Sequence, residues 1–214
     1  MTLVPSKGTR VLYFCLRKKL KSKTMVVHQS ASVFTFGETA YRIGLQLREQ
    51  GNKKISVTNF MHPKDNHEGQ CVSTMNEEDF KEHLEDRLNA QKDSKHCLVR
   101  WWRRLTSRRR TNVPKIVIVA GLGSRYSSKY APMAARVAAS MGYEVVPVVQ
   151  LPFKFEGAER RQRAEEALRL LRGCSQKQLV WDHSVLSRKY KEMDLSGYFR
   201  KIDEAMLQAI CEEM

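Results

Sequence analysis

The stretch with the clearest chemical use follows a β-branched run, where Lys115-Ile-Val-Ile-Val-Ala120 leads into Gly121-Leu-Gly-Ser-Arg-Tyr-Ser-Ser128. Gly121 and Gly123 permit close backbone approach, Ser124, Ser127 and Ser128 add hydroxyl groups, and Arg125 and Lys129 add positive charge. At the carboxyl end of a strand these residues suit a phosphate, although glycines also serve any tight strand-to-helix turn. The spacing is neither a P-loop nor G-x-G-x-x-G.

A second group is polyanion chemistry. Arg100, Arg103, Arg104, Arg108, Arg109 and Arg110 surround Trp101 and Trp102 with no acid among them. Arginines pair bidentately with phosphates and tryptophans stack on bases, as in single-stranded nucleic-acid sites. The same composition suits an acidic membrane surface, an acidic protein tail, or a tryptophan core anchor with a solvated arginine face. Lys18 and Lys19 open a further basic cluster, which reads as a solvated arm or as a contact with nucleic acid or acidic lipid. His62, His67 and Glu68 lack the helical i, i+4 spacing of metal ligands and read as solvated loop residues.

Composition bounds these readings. A chain of 214 residues, 42% apolar and 29% charged, can bury one core, which argues against intrinsic disorder and a disulfide mini-protein. Its 38 Lys and Arg against 23 Asp and Glu give a net charge of +15, a balance that favours polyanion partners. Residues 1–113 hold 22 basic and 11 acidic side chains and residues 114–214 hold 16 and 12, so the basicity belongs to the first half. Five cysteines with no C-x-x-C pair argue against a zinc site and a closed disulfide framework, and for a reducing cytoplasm. No apolar run approaches the roughly 20 residues of a membrane-spanning helix, and Val11-Leu-Tyr-Phe-Cys-Leu16 is too short for a signal-peptide core.

The elements that must position the glycine turn form an alternating pattern. Periodicity predicts a helix over 39–50, an alternating strand over 55–60, and a helix over 76–90 with Phe80, Leu84 and Leu88 buried. After Pro114 the pattern becomes regular: strand 115–120, helix 132–141, strand 143–149, loop 152–157, helix 158–172, strand 178–181 and helix 195–213. That order predicts an α/β fold, a three-layer, mainly parallel sheet with helices on both faces, Rossmann-like in type. In such sheets a ligand lies beyond the carboxyl ends of the strands, where the turn after Ala120 stands.

Three motifs in this half resemble the FtsZ/tubulin family. The family's phosphate loop, A-G-M-G-G-G-T-G-T-G-A-A-P, corresponds to Ala120-Gly-Leu-Gly-Ser-Arg-Tyr-Ser-Ser-Lys-Tyr-Ala-Pro132. The family's K-P-F-x-F-E-G-x-x-R-x-x-x-A-E-E is matched by Leu151-Pro-Phe-Lys-Phe-Glu-Gly-Ala-Glu-Arg-Arg-Gln-Arg-Ala-Glu-Glu166, and A-F-x-x-x-D-x-x-L by Tyr198-Phe-Arg-Lys-Ile-Asp-Glu-Ala-Met-Leu207. The resemblance implies the nucleotide-binding fold of that family and GTP or GDP as ligand. It implies that Gly121, Gly123, Ser124, Arg125, Ser128 and Lys129 meet the phosphates, Glu156 the ribose, and Arg160 the ribose or phosphates. It further implies that Phe199 stacks on guanine, that Asp203 accepts from the base's N–H groups, and that Asp182 stands where the family has a base-binding asparagine.

Departures shape the functional expectation. The glycine-rich loop keeps one glycine within Gly123-Ser-Arg-Tyr-Ser-Ser-Lys129, so side chains crowd it; Arg125 and Lys129 either offset that by charge or plug the site. The family's first glycine turn matches only loosely, at Phe36-Gly-Glu-Thr-Ala40. Residues 1–24 read as a basic extension and 25–214 as one nucleotide-binding domain with a basic divergent segment at 92–113 and no second FtsZ domain. The expectation is a guanine-nucleotide-binding protein, weak or inactive as a GTPase, that regulates or caps cytoskeletal filaments in cell division, partnering full-length FtsZ or itself. The alternative is a basic nucleic-acid-binding protein on the same scaffold.

Overall fold

The computed structural model describes residues 10–13, 31–50, 55–62, 77–93 and 114–214. The basic clusters at Lys18, Lys19, Arg100, Arg103, Arg104, Arg108, Arg109 and Arg110, together with His67 and Glu68, lie outside the described residues.

Side-chain alternation along apolar strands sets the layers. Strands β1 (Arg10–Tyr13), β2 (Ala31–Phe36), β3 (Ile55–Phe60), β4 (Lys115–Gly121), β5 (Glu144–Leu151) and β6 (Lys177–Asp182) form one six-stranded sheet in the order β1-β6-β5-β4-β2-β3. Every pairing is parallel. β1 falls within the stretch read as a basic extension and joins the sheet beside β6.

On β4, Ile116, Ile118 and Ala120 face one layer and Val117 and Val119 the other; β2 divides Phe34 and Phe36 from Val33 in the same way. Both faces are covered, as parallel strands require. On the first face pack α2 (Glu77–Asp93), α3 (Arg125–Ser140) and α4 (Ala158–Arg172), through Phe80, Leu84 and Leu88, the alanines of α3, and Leu168 and Leu171. On the second pack α1 (Glu38–Glu49) and α6 (Leu195–Glu213), through Ile43, Leu47, Ile202, Met206 and Ile210. A short helix, α5 (His183–Lys189), follows β6 directly.

Close approach of α1 to the sheet depends on Gly44, where a Cβ would lie 2.6 Å from Asn59 Oδ1. That oxygen accepts a 2.6 Å hydrogen bond from Thr35 Oγ1. On the first face, Phe36 stacks on Phe60 with centroids 4.8 Å apart, and the aromatic contact continues through Phe80 to Tyr130 and Tyr126. The aromatic seam thus runs to the start of α3.

Two sequence expectations need correction here. The helix expected over 132–141 begins at Arg125, because Ser124 caps it and Pro132 is accommodated inside it. α5 was absent from the sequence reading; it is short, with Asp182 as its cap.

Candidate functional site

β2 sends the chain toward β3 on one side, whereas β4 sends it toward β5 on the other, so the strand order reverses between β2 and β4. Ligands of open α/β sheets bind outside the carboxyl ends at such a reversal. A cleft of about 340 Å³ lies there. Its walls come from Glu38, Thr39 and Arg42 at the start of α1, Gly121 and Leu122 at the end of β4, and the segment from Gln150 to Phe153 at the end of β5. Glu156, Arg160, His183 and Phe199 complete it.

One end of the cleft is aromatic, with an acid behind it. Phe199, at the start of the second turn of α6, lines the cleft, and its ring meets those of Phe153 and His183 edge-on at 6.2 and 5.7 Å. Asp203 follows one helical turn later, 7% exposed. Its Oδ2 lies 3.6 Å from the Arg42 guanidinium, and its Oδ1 has no hydrogen-bond partner. Burial pushes the carboxyl above the usual carboxylate range, against the opposing pull of Arg42. A buried acceptor without a donor is costly; Asp203 itself does not line the cleft and lies behind Arg42, which does.

Behind this end stands a satisfied aromatic pair. His183 Nδ1 and the Tyr198 hydroxyl share a buried 2.8 Å hydrogen bond. Burial pushes His183 down to about 4, against the pull of Glu156 and Asp182, and pushes Tyr198 up to about 12. The imidazole is therefore neutral near pH 7.

Beside the cleft, the turn after β4 is closed by its own hydrogen bonds. Gly123 holds φ +108, a conformation that favours glycine, and a Cβ there would lie 2.8 Å from Arg160 Cγ. The Gly123 N–H donates to Ser128 Oγ at 2.8 Å, and the Ser127 N–H donates to Ser124 Oγ at 3.0 Å. Leu122 N–H donates to the Gln150 carbonyl at 2.9 Å. Arg125 and Lys129 are exposed, and neither they nor Gly123, Ser124 or Ser128 line the cleft. Glu156 accepts from the Phe153 N–H at 2.7 Å through Oε1 and pairs with Arg160 at 3.2 Å through Oε2.

Asp182 takes a different part from the base contact expected of it. Arg161 donates to both of its carboxylate oxygens at 2.9 and 2.7 Å, and Ser184 N–H donates to Oδ1 at 2.9 Å. Burial pushes this carboxyl up, but the Arg161 bonds and charge and the Ser184 N–H together hold it below its usual range. Asp182 thus caps α5 and anchors α4 to β6, away from the cleft lining.

The structure therefore gathers Gly121, Glu156, Arg160 and Phe199 on the cleft, with Asp203 beneath Arg42. Glu38, Arg42, Phe153 and His183 were not read as site residues. His183 could have been found by its place at the carboxyl end of β6; Glu38 and Arg42 by theirs in the helix that follows β2. Among the described residues, no group of three or more His, Cys, Asp or Glu side chains could hold a metal ion, and no described helix is long and apolar enough to cross a membrane.

No family model matches the chain. The cell division protein FtsZ of Helicobacter pylori is 32% identical over 98 residues, 45% of this chain and 26% of that protein. In fold, FtsZ of M. jannaschii matches at TM-score 0.61 and 18% identity, over 85% of this chain and 53% of that one. CetZ2 from Haloferax volcanii, solved as a GTPgS-bound protofilament, matches at TM-score 0.54 and 17% identity, over 85% and 57%. The chain thus spans about a quarter of the length of the curated relatives it matches and about half of the solved chains. The resemblance to the FtsZ/tubulin superfamily holds in fold over most of the chain and in sequence over somewhat less than half of it.

Proposed function

We propose that this chain is a divergent FtsZ-like guanine-nucleotide-binding protein, weak or inactive as a GTPase, that regulates or caps cytoskeletal filaments in cell division. The observation that carries the reading is Asp203: a buried carboxylate with one oxygen lacking any donor, one turn beyond an aromatic ring that lines the cleft. Guanine offers N1–H and an exocyclic amine to such an acceptor, whereas adenine offers an unprotonated N1 that a carboxylate repels. Phe199 supplies a face for stacking, and Glu156 and Arg160, both on the cleft lining, supply an acceptor and a donor for ribose hydroxyls.

Weak turnover follows from how the other groups are committed. Hydrolysis needs a residue that orients water at the terminal phosphate and cations that spread its charge. Glu156 is held by Phe153 N–H and Arg160, Asp182 by Arg161, and His183 by Tyr198. The filament part of the reading is supported by the likeness to FtsZ and by CetZ2, a protofilament with a nucleotide bound.

Calorimetry with GDP and GTP on wild type, Asp203→Ala and Phe199→Ala tests the nucleotide reading. Binding by wild type that both variants lose supports it; equal affinity in all three overturns it. Co-sedimentation with FtsZ filaments tests the second part, which falls if the chain neither binds them nor changes their length.

A further inference from the structure

We propose that Phe155 and the segment 185–201 form a surface that docks on anionic lipid. Among the described residues, the large apolar side chains left exposed are Phe155, Leu170, Val185, Met193 and Leu195. Single exposed apolar residues are ordinary on any protein, whereas a cluster of them needs a reason. Leu170 lies near the far end of α4; the other four belong together.

A packed aromatic layer at the carboxyl ends of β5 and β6 holds them. Phe155 stacks on Phe153 with centroids 4.8 Å apart, and Phe153 stacks on His183, also at 4.8 Å. His183 opens α5, which carries Val185, and its Nδ1 shares the buried hydrogen bond with Tyr198 in the turn of α6 that Leu195 begins. Met193 reaches back over that turn, since a Cβ at Gly197 would lie 3.6 Å from Met193 Cε. On this base Phe155 is 82% exposed, Leu195 66% and Val185 58%. Because the base is fixed, a partner spends little on ordering what it meets. None of the four lines the cleft, so the surface lies beside it.

Charge and shape select the partner. Arg188, Lys189, Lys191, Arg200 and Lys201 are exposed in the same segment, against Glu192 and Asp194, and Asp194 already accepts from the Ser196 hydroxyl. Lys189 and Lys201 lie over the Tyr190 ring, 5.8 and 5.5 Å from its centroid, and Tyr190 meets Tyr198 edge-on, so the cations stand on the same base as the apolar side chains. Apolar side chains that project outward suit insertion at the headgroup boundary, whereas a peptide helix is held in a groove. Around them, Lys and Arg meet lipid phosphates and the negative surface potential of an anionic leaflet.

The experiment is sedimentation of the full chain with vesicles of phosphatidylcholine alone and with about 30% phosphatidylserine. The expected result is binding about tenfold or more tighter to the mixed vesicles, weakened about tenfold by Phe155→Ser/Leu195→Ser and likewise by Arg188→Gln/Lys191→Gln, with melting intact. In Phe155→Trp, the added tryptophan emission should move to the blue on the mixed vesicles, as the ring enters the headgroup boundary. No binding, equal binding to both vesicles, an unmoved emission, or binding that either double variant leaves unchanged overturns the proposal. Self-association without lipid that Phe155→Ser/Leu195→Ser abolishes assigns the surface to a second copy of the chain and overturns it as well.

Discussion

Asp203 and Asp182 are both buried aspartates at the carboxyl edge of the same sheet, and their surroundings treat them oppositely. Asp182 receives two N–H bonds from Arg161 and one from Ser184, and its carboxyl is held below its usual range. Asp203 has a distant, half-exposed Arg42 and an oxygen with no donor, and its carboxyl is pushed up. Desolvation acts on both; only the hydrogen-bond partners differ. The comparison teaches which acid the fold uses to hold itself together and which it keeps at a cost, and the second is where a ligand has something to add.

The contrast is broken most severely at its satisfied side. Asp182→Ala leaves Arg161 without its partner and α5 without its cap, and should destabilise the chain by roughly 3–5 kcal/mol in a denaturant melt; a loss under about 1 kcal/mol would mean the pair is dispensable. Acid comes next. His183 falls from its ordinary 6.5 to about 4 on folding, so the unfolded chain takes up the proton first. Stability should therefore drop by roughly 3 kcal/mol as pH falls from 6.5 to about 4, and His183→Gln should flatten that slope. Asp182, held low, adds loss below the ordinary 3.8, whereas Asp203, pushed up, takes its proton first in the folded chain and partly offsets the loss above 3.8.

Asp203→Asn separates the two roles by sign. It should weaken guanosine by about tenfold to a hundredfold, equivalent to about 1.5–3 kcal/mol, while melting holds or rises because a buried charge is removed. A drop in both would make Asp203 structural, like Asp182. The smallest effect is expected at Ser124→Ala, which removes the cap of α3 at a cost of about 1 kcal/mol, read as a shift in denaturant midpoint.

Helices 158–172 and 195–213 were legible in sequence to the residue, because an alanine-and-leucine stripe between a glycine start and a glycine stop, or a long apolar face, leaves little freedom. Two strands of the second half were legible as β-branched runs and the third as a short apolar stretch, each missing only its ends. The start of α3 was not, since serines and a proline read as turn until Ser124 is seen accepting from Ser127 N–H. Phe199 and Asp203 were nominated through motif resemblance, and four-residue spacing on a helix brings them together. The pairing of Asp182 with Arg161 was out of reach, because it joins α4 to the end of β6 and no local pattern registers it. Arg42 was hidden for the same reason: its partner lies at the other end of the chain.

The position of β1 bears on how the chain comes off the ribosome. Arg10 pairs with Lys177 and Tyr13 with Val180, so the first described strand waits for the last one to be synthesised. At translation speeds of ~5–20 residues per second, that wait is on the order of ten seconds. Until β6 emerges, β5 presents an open, apolar edge beside a nascent β1 that has no partner, and a stall in this interval exposes both to holdase chaperones and to pairing with other chains.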